Sequence, residues 1–173
     1  RRLSRLSVDS ELTNYNMATL NPHLVATAGE HYVCSQLALN GVIPALVRQG
    51  APSIDILAST IAGGRTIGIQ VKTTEWALRT RGRGTNKKPY ELQFPLGHHA
   101  IEQTDDSSIF CFVDLRIHER EAPPDVYIIT AKALKAEYTG LNIRKWSYFR
   151  HHRSVEHMQQ FKNNWEPILK ALH

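Results

Sequence analysis

The chain has 173 residues, 42% of them hydrophobic and 21% charged, with a formal net charge of +5. That length suits one ordinary domain with a real core, and the balance of residue types excludes a disordered or fibrous protein. No apolar run approaches the roughly 18 to 20 residues of a bilayer span, and the Arg-rich start lacks the apolar segment of a secretory signal, so a soluble, cytoplasmic or nucleoid-associated protein is expected. The positive charge agrees with contact to a polyanion without requiring it. Cys34 and Cys111 lie in apolar stretches without metal-ligand spacing and are expected as buried thiols.

Residues 1–16 mix Arg, Ser and Asp without sustained periodicity and form an expected N-terminal arm. Residues 17–173 are expected as a single α/β domain ending in a helix. Within residues 21–40, Leu24, Val25, Ala28, Tyr32, Val33, Leu37 and Ala38 recur at helical spacing. Asn21 and Pro22 suit the start of that helix and Gly41 its end.

Three short β-like runs follow at residues 42–47, 54–60 and 66–73, and Gly63-Gly64 suits a two-residue hairpin turn between the second and third. Residues 79–88 hold Arg79, Arg81, Arg83, Lys87 and Lys88 with two glycines and no acid, which predicts a solvated basic loop. A short helix is expected over residues 97–103. Residues 108–115 are apolar enough for a central strand covered on both faces.

Residues 125–130 read as a further strand after Pro123-Pro124, and residues 131–138 as a helix. In residues 154–172, Val155, Met158, Phe161, Trp165 and Leu169 recur every three or four positions, the pattern of a docking helix with Pro167 as its point of interruption. The order of elements implies an α/β sandwich on a mixed central sheet flanked by helices.

A hairpin closed by Gly63-Gly64 sets Asp55 directly across from Lys72, and alternation puts Gln70 on the same strand face. Three polar groups on a strand face otherwise made of Ile, Val and Leu cost free energy unless they pair or serve a ligand. A simple Asp55–Lys72 ion pair is one reading of them. The other is a site.

These residues resemble the PD-(D/E)XK, or restriction-endonuclease-like, nuclease superfamily. Its signature has an aspartate on one strand, then an acid or glutamine and a lysine two positions apart on the next, with a glutamate on the helix before the first strand. Here the match runs through Glu30, Pro52-Ser53-Ile54-Asp55 and Gln70-Val71-Lys72. The Gln-x-Lys form is similar to Mrr-type restriction enzymes in particular. The resemblance covers residues 24–73 and, more loosely, the two later strands. Two departures stand out: the proline precedes the aspartate by three positions instead of one, and Gln70 replaces the commoner carboxylate.

The resemblance implies a restriction-endonuclease-like core and a Mg²⁺-dependent DNA endonuclease, with Mn²⁺ able to substitute. Asp55, Gln70 and Glu30 would ligate the metal, and Lys72 would act on the attacking water and the phosphoryl charge. Arg79, Arg81, Arg83, Lys87 and Lys88 are the candidate DNA contacts. A second cluster is Arg144, Lys145, Arg150, His151, His152 and Arg153, interleaved with Trp146, Tyr148 and Phe149. His98-His99 and His151-His152 are expected at the surface, and Tyr32 and His31 as packing and surface residues. Double-strand cleavage implies a homodimer or higher homo-oligomer. The alternative is a nuclease-like module that has lost catalysis and binds nucleic acid or a partner.

Overall fold

The computed structural model describes residues 20–47, 53–119, 121–142 and 149–173. The arm expected at residues 1–16 lies outside them, as do Pro52, Arg144, Lys145, Trp146 and Tyr148. Helix α1 (Pro22–Leu39) opens with the Asn21 side chain accepting the His23 N–H at 2.9 Å, and Pro22 sits in the first turn, where no intrahelical donor is required. Gly41, at φ +75°, ends it by taking a left-handed conformation. Strands β1 (Val42–Leu46), β2 (Ile56–Thr60) and β3 (Thr66–Thr74) follow.

The expected basic loop is in fact a hairpin. Strand β4 (Leu78–Arg81) and strand β5 (Lys88–Pro95) pair antiparallel around a 3₁₀ turn at Gly84–Asn86. Apolar alternation at Leu92, Phe94 and Leu96 supplies the buried face that holds it, while Arg81, Arg83, Lys87 and Lys88 are exposed and Arg79 is half-buried. Then come α2 (His98–Gln103), β6 (Ile109–Asp114), β7 (Asp125–Thr130), α3 (Ala131–Glu137), β8 (Arg150–Ser154), α4 (Val155–Gln159) and α5 (Glu166–Leu172).

The main sheet has the order β1-β2-β3-β6-β7, mixed because β3 and β6 run parallel while the other neighbours are antiparallel. Strand β6 is buried at every residue, as its apolar run requires, and lies inside the sheet with β3 at the centre. A second sheet, β4-β5-β8, covers one face of the first through Phe94, whose ring packs 5.3 Å from Phe112 and 5.6 Å from Tyr127. On the opposite face α1 and α5 bury Val33, Leu37, Ile168 and Leu172 against Ile69, Val71 and Cys111. Cys111 is buried as expected and Cys34 half-buried. Among the described residues no helix is long and apolar enough to cross a membrane.

The tail is not one interrupted helix. Residues 160–165 leave the helical path to serve the edge of β7: Ile128 N–H donates to the Phe161 carbonyl at 3.0 Å, and Val126 N–H to Asn163 Oδ1 at 2.9 Å. An edge strand's unpaired donors outweigh continuation of a short helix. Pro167 falls in the first turn of α5, so it starts a helix instead of interrupting one.

Helix α1 packs on β3 through Val25, Gly29, Val33 and Leu37, one stripe of its surface. A Cβ on Gly29 would lie 1.9 Å from Thr73 Oγ1 and 2.9 Å from Thr73 Cβ, so only glycine permits this approach. Gly29→Ala is expected to destabilise the fold by about 1 to 3 kcal/mol through overpacking. In urea denaturation, adding Thr73→Ala should return part of that loss.

Candidate active site

The β2–β3 register differs from the one a two-residue glycine turn dictates. Ile56 pairs with Ile69 and Ser59 with Thr66, leaving residues 61–65 as a longer connection. Asp55 therefore does not face Lys72, and continuing the ladder would set it opposite Gln70 and Ile54 opposite Val71. The ladder stops before that happens.

Asp55 lies just outside β2, and its Oδ2 accepts the Val71 N–H at 2.7 Å. The carboxylate takes the donor that the Ile54 carbonyl would have taken in a continued ladder. Backbone N–H groups point along the sheet, so Asp55 is held at the exposed edge of β3 and not on one of its faces. Its own N–H still donates to the Ile69 carbonyl at 2.9 Å, which pins the aspartate from both ends.

Two charges reach that edge. Glu30 comes from α1, carried by the close contact at Gly29, and Lys72 comes from β3 itself. Burial, and then the negative charge of Asp55, raise the Glu30 carboxyl above its ordinary pKa, with His31 and Lys72 opposing. Burial lowers the Lys72 ammonium, with Asp55 and Glu30 opposing. Among the described residues Lys72 forms no ion pair within 4 Å. The simple Asp55–Lys72 salt bridge is thus not made.

Gln70, only 5% exposed, shares the Lys72 face of β3 and lies 3.2 Å from the Thr104 hydroxyl. The Val71 carbonyl points to the same strand edge as its N–H, toward Asp55. Sequence reasoning had no means of finding this atom. Glu30 and Asp55 lie in mutual electrostatic reach, while the Gln70 amide faces Thr104 inside the packed layer; each offers oxygen, the donor a hard divalent cation takes. No cluster of three or more His, Cys, Asp or Glu suited to a metal occurs among the described residues. The fit rests on only two negative ligands.

Beyond Lys72, where β3 outruns β2, a cleft of about 700 Å³ opens between the first turns of α1 and the second sheet. Lys72, Arg79 and Arg150 line it together with Glu75 and Trp76. Arg79 is held there by bonds to Gln93 Oε1 at 3.1 Å and the Trp76 carbonyl at 3.3 Å. Arg81, Arg83, Lys87 and Lys88 are exposed farther out on the same hairpin. The basic hairpin and the described part of the second cluster, Arg150 to Arg153 in β8, therefore share one sheet, since β5 pairs with both β4 and β8.

His151 is not a surface residue. It is fully buried, stacked 4.8 Å from Phe112, with Nδ1 2.7 Å from the Tyr138 hydroxyl. Burial, then the neighbouring Arg153, push its pKa down to about 3, so it is a neutral core residue. His152 and His99 are exposed and His98 half-buried; His31 is exposed and Tyr32 packs beside the α1 core.

Charge at Glu30 and Lys72 should cost stability. A carboxyl raised in the folded state binds protons more tightly than in the unfolded chain, so stability falls as pH rises from 4.5 through the raised value. A lowered lysine imposes its cost at every pH below its folded pKa, and relief comes as pH rises toward 10.5. Glu30→Gln and Lys72→Met are expected to melt at or above the parent temperature at pH 7, with the Glu30→Gln advantage shrinking toward pH 4. No protein-family model, no curated protein and no solved structure matches this chain.

Proposed function

We propose that this chain is a divalent-metal-dependent DNA endonuclease of the PD-(D/E)XK kind, with Glu30, Asp55, Gln70 and Lys72 as its centre. Mg²⁺ is the expected metal, and Mn²⁺ can replace it. One observation carries the reading: Asp55 is fixed on the free edge of β3, with Glu30 and Lys72 both in electrostatic reach and unpaired with one another. A helix before the hairpin and a mixed sheet supported by helices agree with the restriction-endonuclease-like core that the sequence resemblance implies.

Hydrolysis of a phosphodiester needs an activated water, neutralisation of charge on the phosphoryl oxygens and an in-line arrangement. Asp55, Glu30, the Val71 carbonyl and the Gln70 amide would hold the cation. When bound, it would lower the pKa of a water and polarise the phosphate. Lys72 would hold the attacking water and meet the charge that develops on the phosphoryl oxygens, and its partial desolvation strengthens that interaction. Arg79 and Arg150 in the cleft, then Arg81, Arg83, Lys87 and Lys88 along the hairpin, would carry the DNA backbone past Lys72. Double-strand cleavage would take two copies of the site.

A second reading has a specific observation behind it. With Gln70 in place of an acid the centre has two carboxylates, and a module that binds DNA without cutting it would look the same. Incubation of plasmid DNA with the protein and Mg²⁺ or Mn²⁺ separates the two. The nuclease reading expects cleavage that EDTA stops and that Asp55→Ala and Lys72→Ala reduce by about a thousandfold or more with the fold retained. Undiminished cutting by either variant refutes the assigned site. Binding of DNA with no cutting of linear, supercoiled or branched substrates selects the second reading. Under both, Arg83→Gln or Lys87→Gln should lower the salt slope of DNA binding by about one if that side chain meets a phosphate.

A further inference from the structure

Gln70 is the position where this chain departs from an acidic centre, and its surroundings explain the choice of residue. Thr104, 2% exposed, ends α2, and its hydroxyl contacts two oxygens: the Ala100 carbonyl one turn back and, at 3.2 Å, Gln70 Oε1. A hydroxyl owns one proton. The Ala100 contact is the back-bond to the carbonyl four residues earlier that threonine commonly makes at a helix, so the proton belongs there. Toward Gln70 the Thr104 oxygen then presents only lone pairs.

Two oxygens facing each other with no proton between them repel. Turning the amide by half a rotation replaces Oε1 with Nε2 at almost no cost in shape and makes a bond, with Nε2 donating to Thr104 Oγ1. The other amide atom has no hydrogen-bond partner among the described residues, and Gln70 keeps 5% of its surface exposed. After the turn, that atom is the oxygen. Thr104 is itself anchored, because Lys135 Nζ donates to its carbonyl at 2.5 Å and to Asp106 Oδ1 at 2.6 Å.

We propose that Thr104 is a positioning residue that locks the Gln70 amide with its N–H on the Thr104 oxygen and its carbonyl turned to the open side, and that this acceptor selects glutamine over glutamate at position 70. The consequence for metal binding rests on the nuclease reading; the orientation does not. A glutamate at position 70 would bring a second acceptor against Thr104, and the hydroxyl would have to give up Ala100 to meet it. An amide meets it without change. The residue that resembles a weakened acid is then a neutral ligand aimed by its neighbour.

The test uses the full chain and reads orientation and metal separately. In nitrogen-15 NMR, one Gln70 side-chain N–H proton, assigned by its loss in Gln70→Glu, should be shifted and slow to exchange. Thr104→Ser should preserve it and Thr104→Val abolish it. Direct Mn²⁺ titration should show binding about tenfold weaker for Thr104→Val and nearly unchanged for Thr104→Ser, as expected when a partner that orients a ligand is lost. Gln70→Glu should be less stable than the parent, and Thr104→Val should be less harmful in that background than alone.

An amide signal indifferent to Thr104→Val overturns the proposal. So does a Gln70→Glu variant at least as stable as the parent. If the amide is locked but the parent binds no Mn²⁺, the orientation stands and the nuclease reading fails. If Mn²⁺ binds equally to parent and Thr104→Val, the nuclease reading stands and the positioning role falls.

Discussion

The hydrogen bond from the Val71 N–H to Asp55 Oδ2 sets the geometry of everything around it. A sheet donor left without a partner costs about 1 to 3 kcal/mol, so the edge of β3 must be satisfied where β2 departs. A side chain satisfies it here, and this lets the two strands part. Parting opens the outer length of β3 to the cleft and puts a carboxylate where groups from α1 and from β3 can both meet it. With a backbone carbonyl in place of that carboxylate, the ladder would have continued and closed the edge.

Periodicity made most of the fold legible. The α1 stripe, the fully apolar β6 and the short α2 and α3 were all readable because each follows from local spacing and from the burial it demands. The failures share a physical cause. The register of β2 on β3 depends on a connection longer than the two glycines imply, and the tail bends to serve the edge of β7, a need that appears only once the sheet exists. His151 looked like a surface residue because its neighbours are charged, yet strand alternation turns it inward onto Phe112 while His152 faces out. The order Glu30, Asp55, Gln70, Lys72 was legible. Gly29 carried a weaker signal, since glycine inside a helix costs about 1 kcal/mol and implies a close approach. The Val71 carbonyl and Thr104 carried none, because their roles come from register and packing and not from residue type.

The placement of Glu30 and Lys72 is one whose cost the fold offsets elsewhere. Glu30 is held near another carboxylate, and Lys72 is partly stripped of water with no ion pair among the described residues to compensate. Each is costlier in the folded chain than in the unfolded one. The offset lies away from the site, in the two apolar layers that clamp the central sheet: Phe94, Phe110 and Phe112 on one side, Leu37, Ile69 and Ile168 on the other. Under the nuclease reading such a division would be expected, since the groups best placed to bind a cation or a phosphate are those least satisfied without one.

The second sheet extends the same logic to the surface. Five cations on a mobile loop would each lose freedom on meeting a polyanion, and that loss subtracts from affinity. As a β4–β5 hairpin tied to β8 and anchored in the core by Leu92 and Phe94, the same residues are ordered beforehand. Arg79 goes furthest, fixed by Gln93 and the Trp76 carbonyl beside Lys72. Phosphate contacts at that point would therefore serve placement as well as attraction, because a backbone held against Arg79 and Arg150 would lie in the same cleft as Lys72.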